Sequence, residues 1–149
     1  MPIELAIQKP PPLNREIVTG EIIGWRCWRV RPSWFSSATQ RDSVRLLSCT
    51  LDVEWKPGEP FQAERKPTDY DASGFSPGVH AWKTFKQALS YSDPAAAYGE
   101  PRIIGEVELW GEVVEHEDGY RAEYAQIKSI YGKNALTARV RKVYGVPSS

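Results

Sequence analysis

Six side chains with acid–base or anion-binding chemistry are scattered through this sequence: His80, and further on Glu115, His116, Tyr120, Arg121 and Glu123. A histidine beside a carboxylate can move protons near neutral pH, because its ordinary pKa lies at about 6.5. No catalytic signature accompanies them. There is no G-x-S-x-G elbow, no glycine-rich phosphate loop, no H-E-x-x-H and no C-x-x-C. His80, between Val79 and Ala81, equally suits a hydrogen-bonded structural role, and His116 an exposed hairpin tip. The reading leans away from an enzyme; if there is catalysis, His80, Arg29 and Glu123 are the candidates.

Two other groups point to binding. Arg26, Arg29, Arg31, Arg41 and Arg45 interleave with Trp25, Trp28, Trp34 and Phe35, with Asp42 as the single acid among them. Cations for phosphate and rings for base stacking are what a nucleotide or single-strand site needs. The competing account has alternate residues in a core and the arginines solvating the far face. The second group is acidic: Glu106, Glu108, Glu112, Glu115, Glu117 and Asp118. It suits a basic partner surface, mimicry of a phosphate backbone, or internal pairing with Lys128, Lys133, Arg139, Arg141 and Lys142. The binding candidates are therefore Arg26, Arg29, Arg31, Trp34, Phe35, Glu112, Glu115, His116, Glu117, Tyr120 and Arg121.

Composition narrows the class. With 19 basic and 19 acidic residues the net charge is zero, which argues against a wholly basic nucleic-acid-coating surface. Cys27 and Cys49 are too few for a disulfide scaffold and lack zinc-ligand spacing, so they read as buried thiols in a reducing compartment. No metal and no cofactor is expected. The N-terminus has neither the basic nor the apolar region of a signal peptide, and no apolar run approaches the roughly 18 residues of a membrane span. A cytoplasmic protein with no membrane contact is expected.

The elements that must position these groups are legible in outline. Residues 1–20, with Pro10, Pro11 and Pro12, form a Pro-rich extension, and 21–149 a single domain. Residues 21–31 are rich in β-formers and end at Pro32; 33–42 read as a loop. Residues 43–55 resume alternation as one run, with Leu47, Cys49, Leu51 and Val53 on one side. Lys56, Pro57 and Gly58 make a turn, 59–65 a short strand, and 66–78 a surface loop. Val79, His80, Ala81 and Trp82 are extended. Thr84 and Gln87 form a capping box for a short helix whose Phe85, Ala88 and Leu89 share a face. Residues 103–131 are two β-patterned runs joined at Asp118-Gly119, a strong hairpin signal. In them Val107, Leu109 and Val113 point one way, and Glu106, Glu108, Trp110, Glu112 and Val114 the other. Asn134 caps a last helix, 135–144, striped by Leu136, Val140, Val143 and Tyr144, with Gly145 beyond it. The sum is α+β: a mostly antiparallel sheet with the 103–131 β-hairpin, one short central helix and a C-terminal helix.

Four blocks carry a resemblance: GWRCWRVR at 24–31, EWKPGEPFQAE at 54–64, PGVHAWKTFKQALSY at 77–91 and IIGEVELWGEVVEHEDGYRAEYA at 103–125. They resemble a family of bacterial and phage proteins of uncharacterised activity, with WRxWR, WxPGxP, G[IV]HA and GEVxLWGxVVEH-GYRAEYA motifs. Relatives carry cysteines just before G[IV]HA. This chain has Ser73, Gly74, Phe75 and Ser76 there, so no metal or thiol role carries over. The resemblance implies a phage or mobile-element setting and carries no activity with it. The segregated charge, the surplus of aromatic residues and the lack of a catalytic motif point to a small accessory protein that acts by binding, with a protein partner expected. Inhibition of a host nuclease or other defence system, as anti-CRISPR proteins do, is its sharpest form. Nucleotide or nucleic-acid binding through the Arg/Trp strand is the alternative. A looser likeness is to the ADP-ribosyltransferase layout, which would set Arg29 in its first strand and make Glu123 the catalytic acid.

Overall fold

The computed structural model describes residues 21–32, 44–49, 53–69, 77–91 and 101–149. The 1–20 extension, Trp34, Phe35 and residues 70–76 lie outside the described residues. The described residues form β1 (Ile22–Pro32), β2 (Val44–Ser48), β3 (Glu54–Trp55), β4 (Phe61–Gln62), β5 (Val79–Trp82), α1 (Phe85–Tyr91), β6 (Arg102–Glu115), β7 (Gly119–Tyr131) and α2 (Ala135–Tyr144). The α+β expectation holds: one antiparallel sheet, a short central helix and a C-terminal helix.

The sheet is not a simple row. β1 pairs with β2 and β6, β7 pairs with β6, β5 and β4, and β2 pairs with β3. β1 also touches β5 through one pair, Trp25 opposite Trp82. Strands β1, β6, β7 and β5 thus close a circuit of pairings. Trp28, Val30, Leu46, Trp55, Val107, Leu109 and Val113 build the main core, joined by Val140 and Tyr144 of α2. Trp28 meets Trp55 edge to face at 5.4 Å, and Trp55 stacks on Phe61 at 4.6 Å. Of the six tryptophans in the sequence, Trp28 and Trp55 are therefore core. Buried Tyr144 accepts from Leu46 N–H at 2.9 Å and donates to the Trp55 carbonyl at 2.5 Å, tying α2 to β2 and β3.

Both helices begin as their sequences require. Thr84 Oγ1 accepts from Gln87 N–H at 3.2 Å while Gln87 Oε1 accepts from Thr84 N–H at 3.0 Å. Asn134 Oδ1 accepts from Thr137 N–H at 2.8 Å, and Gly145 closes α2 in the left-handed conformation.

Five expectations need correction. The 43–55 run is two strands, reversed where Ser48 N–H donates to the Val53 carbonyl at 3.0 Å. Asp118-Gly119 is not the turn pair. The chain reverses over His116, Glu117 and Asp118, with His116 N–H on the Gly119 carbonyl at 2.7 Å, and Gly119 already belongs to β7. Its glycine is required by close approach, since a Cβ would sit 2.2 Å from the Ala81 carbonyl oxygen of β5. Leu89 is not on the buried face of α1 but 51% exposed, whereas Ala88 is fully buried. Val114, expected among the glutamates, is fully buried beside its cross-strand partner Arg121. The arginines of β1 do not all solvate a far face either, as Arg29 is only 7% exposed. Buried cations are retained where they are bonded, and its Nε donates to the Ser48 carbonyl at 2.8 Å.

Candidate functional site

β1 and β5 are backbone partners at one point only, so beyond Trp25 and Trp82 they separate. The gap is a cavity of about 560 Å³. One wall is Arg26, Cys27, Ser48 and Cys49, from β1 and the end of β2. The other is Phe61, Arg65, His80, Trp82 and Arg121, from β4, the chain after it, β5 and β7. Arg26 braces the gap. Its guanidinium donates to the His80 carbonyl at 2.5 Å and to Ser48 Oγ at 3.1 Å, and lies 5.0 Å from the Trp55 ring centre. A side chain here makes the β1–β5 link that the backbone does not.

The cavity is cationic. Among the described residues Arg26, Arg65 and Arg121 line it with one carboxylate, that of Glu64, and Arg65 also pairs with Asp69 at 3.4 Å. Such a set favours an anion with several oxygen acceptors. His80 stands directly across from Arg121 on the β5–β7 ladder and meets Trp82 edge on at 4.4 Å. Burial, reinforced by the charges of Arg121 and Arg26, pushes its pKa down to about 3. His80 is therefore neutral at physiological pH, a hydrogen-bonding group rather than a cation. Burial also lowers Arg121.

Of the sequence candidates, the cavity gathers Arg26, His80 and Arg121. Arg29 lies behind the wall on the Ser48 carbonyl, and Arg31 is half-buried at the end of β1. Glu123 Oε1 accepts from Glu112 N–H at 3.2 Å. The three catalytic candidates thus do not share the cavity wall, which holds His80 alone of them.

The hairpin acids have separate occupations. Glu112 accepts from Thr68 N–H at 3.0 Å and from the Thr68 hydroxyl. Glu115 pairs with Lys83 at 2.7 Å, and Lys83 also lies 5.7 Å from the Tyr120 ring centre. Glu106 accepts from Ser129 Oγ at 2.8 Å. Lys128, a candidate for internal matching, pairs instead with Glu21 at 2.8 Å. Glu117 and Asp118 remain exposed at the tip. His116 Nε2 is buried without a hydrogen-bond partner among the described residues, and burial lowers its pKa. Glu115 and His116 therefore form no acid–base dyad.

Sequence reasoning did not single out Ser48, Cys49, Phe61, Arg65 or Trp82 as a site. They come from four segments joined only by long-range pairing, and the residue types alone carry no motif. Among the described residues no group of three or more His, Cys, Asp or Glu side chains is placed to hold a metal ion. Nor is any helix among them long and apolar enough to cross a membrane. No known protein family, curated protein or solved structure matches the chain.

Proposed function

We propose that this protein binds an anionic, ring-bearing small ligand of nucleotide type in the cavity between β1 and β5. The observation that carries this reading is the pairing, in one concave space of about 560 Å³, of three arginines with the rings of Phe61, His80 and Trp82. Pockets of roughly 300–1,000 Å³ suit ligands of this size, with polar groups for orientation and rings for contact area. Titration with adenosine monophosphate, followed by tryptophan emission, is expected to quench Trp82. Arg121→Gln is expected to weaken the affinity about tenfold, the scale of one lost charge-assisted hydrogen bond, while the melting curve stays cooperative. No quenching by any of the four nucleoside monophosphates, or an unaltered affinity in the variant, removes the reading.

A second reading is a protein-binding accessory function of the phage type, such as inhibition of a host nuclease. Its support is the exposed pair Glu117 and Asp118 at the hairpin tip, and the exposed Leu89 and Tyr131 flanking Phe85, whose ring lies 4.6 Å from Tyr131. Reversing the charge of Glu117 and Asp118 together with Leu89→Asp is expected to abolish stoichiometric capture of one host protein. Capture that survives all three changes is the outcome against it.

A further inference from the structure

The wall of the same cavity holds two thiols that the nucleotide reading leaves without a task. β1 and β2 run antiparallel with Trp28 opposite Ser48, and continuing that register sets Cys27 opposite Cys49. Directly opposed residues have Cα atoms about 4.5–5.5 Å apart, inside the range a disulfide spans. The two sulfurs lie 3.0 Å from each other, and the Cys49 thiol also donates to the Cys27 carbonyl at 3.2 Å. The pair is asymmetric. Cys27 is 3% exposed, packed with Ala88 and Ile104, while Cys49 is only partly buried.

We propose that Cys49 and Cys27 are a thiol–disulfide exchange site that takes low-molecular-weight disulfides such as oxidised glutathione. Cys49 is the attacking thiol and Cys27 the resolving one. The Cys49 thiolate attacks one sulfur of the incoming disulfide. That S–S bond breaks, and the departing thiolate takes up a proton. Cys27 then gives its proton to the second departing group and attacks the Cys49 sulfur, closing a cross-strand disulfide. Two protein thiols are oxidised by two electrons, and one small disulfide becomes two small thiols.

Electrostatics agrees with the assignment of roles. Hydrogen bonding from Cys27, with the charges of Arg102, Arg26 and Arg29, brings the Cys49 pKa down to about 7, near the optimum for an attacking thiol. The neighbouring Cys49 thiolate and burial push Cys27 up. Once Cys49 is a mixed disulfide its negative charge is gone, and the main brake on Cys27 goes with it.

The test uses the full chain, reduced, with oxidised glutathione under anaerobic conditions and intact-mass readout. The wild-type protein is expected to lose two hydrogens and release two glutathiones. Cys27→Ser is expected to stop with one glutathione attached, and Cys49→Ser to stay unmodified over the same time. No reaction of the wild type, or equal adduct formation on Cys49→Ser, overturns the proposal. A second measurement needs no variant: the rate of iodoacetamide alkylation of the native protein against pH, mapped by peptide. Labelling is expected at Cys49, at least about tenfold faster than at Cys27, with a midpoint at about 7. Preferential labelling of Cys27, or a midpoint at the ordinary thiol value, is the contrary result. Neither experiment depends on nucleotide binding, so the two readings fail separately.

Discussion

His80 shows how one residue serves structure and site together. Its backbone carbonyl receives the Arg26 brace, and its ring faces the cavity between Trp82 and Arg121. Two cations and burial hold it neutral, with a folded pKa of about 3 against an ordinary value of 6.5. The sign of the consequence follows from proton counting. Between those two values the unfolded chain carries the proton and the folded chain does not, so stability rises with pH there and falls on acidification. His116, also lowered, adds to the same trend. Replacing His80 with Gln is expected to flatten the dependence of unfolding free energy on pH between about 4 and 6, by less than one proton because the ring is not fully buried. Urea titrations at several pH values read the slope. An unchanged slope in His80→Gln means that the ring takes up its proton in the folded state as it does in the unfolded chain, and that the cavity gains a further cation on acidification.

At the scale of elements, the two helices and the strand at Val79–Trp82 were legible because their signals are local: a capping box, an Asn cap with Gly beyond, and β-formers between turn residues. The turn of the 103–131 hairpin was misread because Gly119 answers to a neighbouring strand and not to a turn. Its substitution therefore has a different expected outcome from that of Gly111. Gly111 lies in the β6 bulge at φ 78°, where a Cβ would stand 2.7 Å from a Tyr124 ring atom. Gly111→Ala is expected to cost about 1–3 kcal/mol through backbone strain and to leave cavity binding intact. Gly119→Ala sets a methyl against the Ala81 carbonyl, where backbone must give way. It is expected to cost roughly 3 kcal/mol or more and to weaken nucleotide binding, because β5 carries His80 and Trp82. Chemical denaturation and the emission titration on both variants make the comparison. Equal effects on binding would mean that β5 does not hold the ligand.

At the scale of the whole molecule, charge balance and local field differ. The chain sums to zero net charge, yet among the described residues its cavity sets three arginines against one carboxylate. The sequence showed the arginines of β1 but not this concentration of charge, because Arg65 and Arg121 reach Arg26 only through the closure of β1, β6, β7 and β5. The small number of cations also limits what the site can hold. A protein whose basic surface tracks a strand gains affinity with each added nucleotide and loses it steeply with salt; a concave pocket with three arginines in a neutral molecule does less of both. For single strands log K falls with log salt at about 0.7 per neutralised phosphate. Three arginines therefore permit a slope no steeper than about −2. Short oligonucleotides are expected to bind no more than a few-fold tighter than a mononucleotide, with the slope reaching its limit at about three phosphates. Fluorescence titrations of a length series at several salt concentrations give both quantities. A slope that keeps steepening with length would put the principal site outside the cavity, along the exposed surface, and would make the terminal nucleotide rather than the free mononucleotide its ligand.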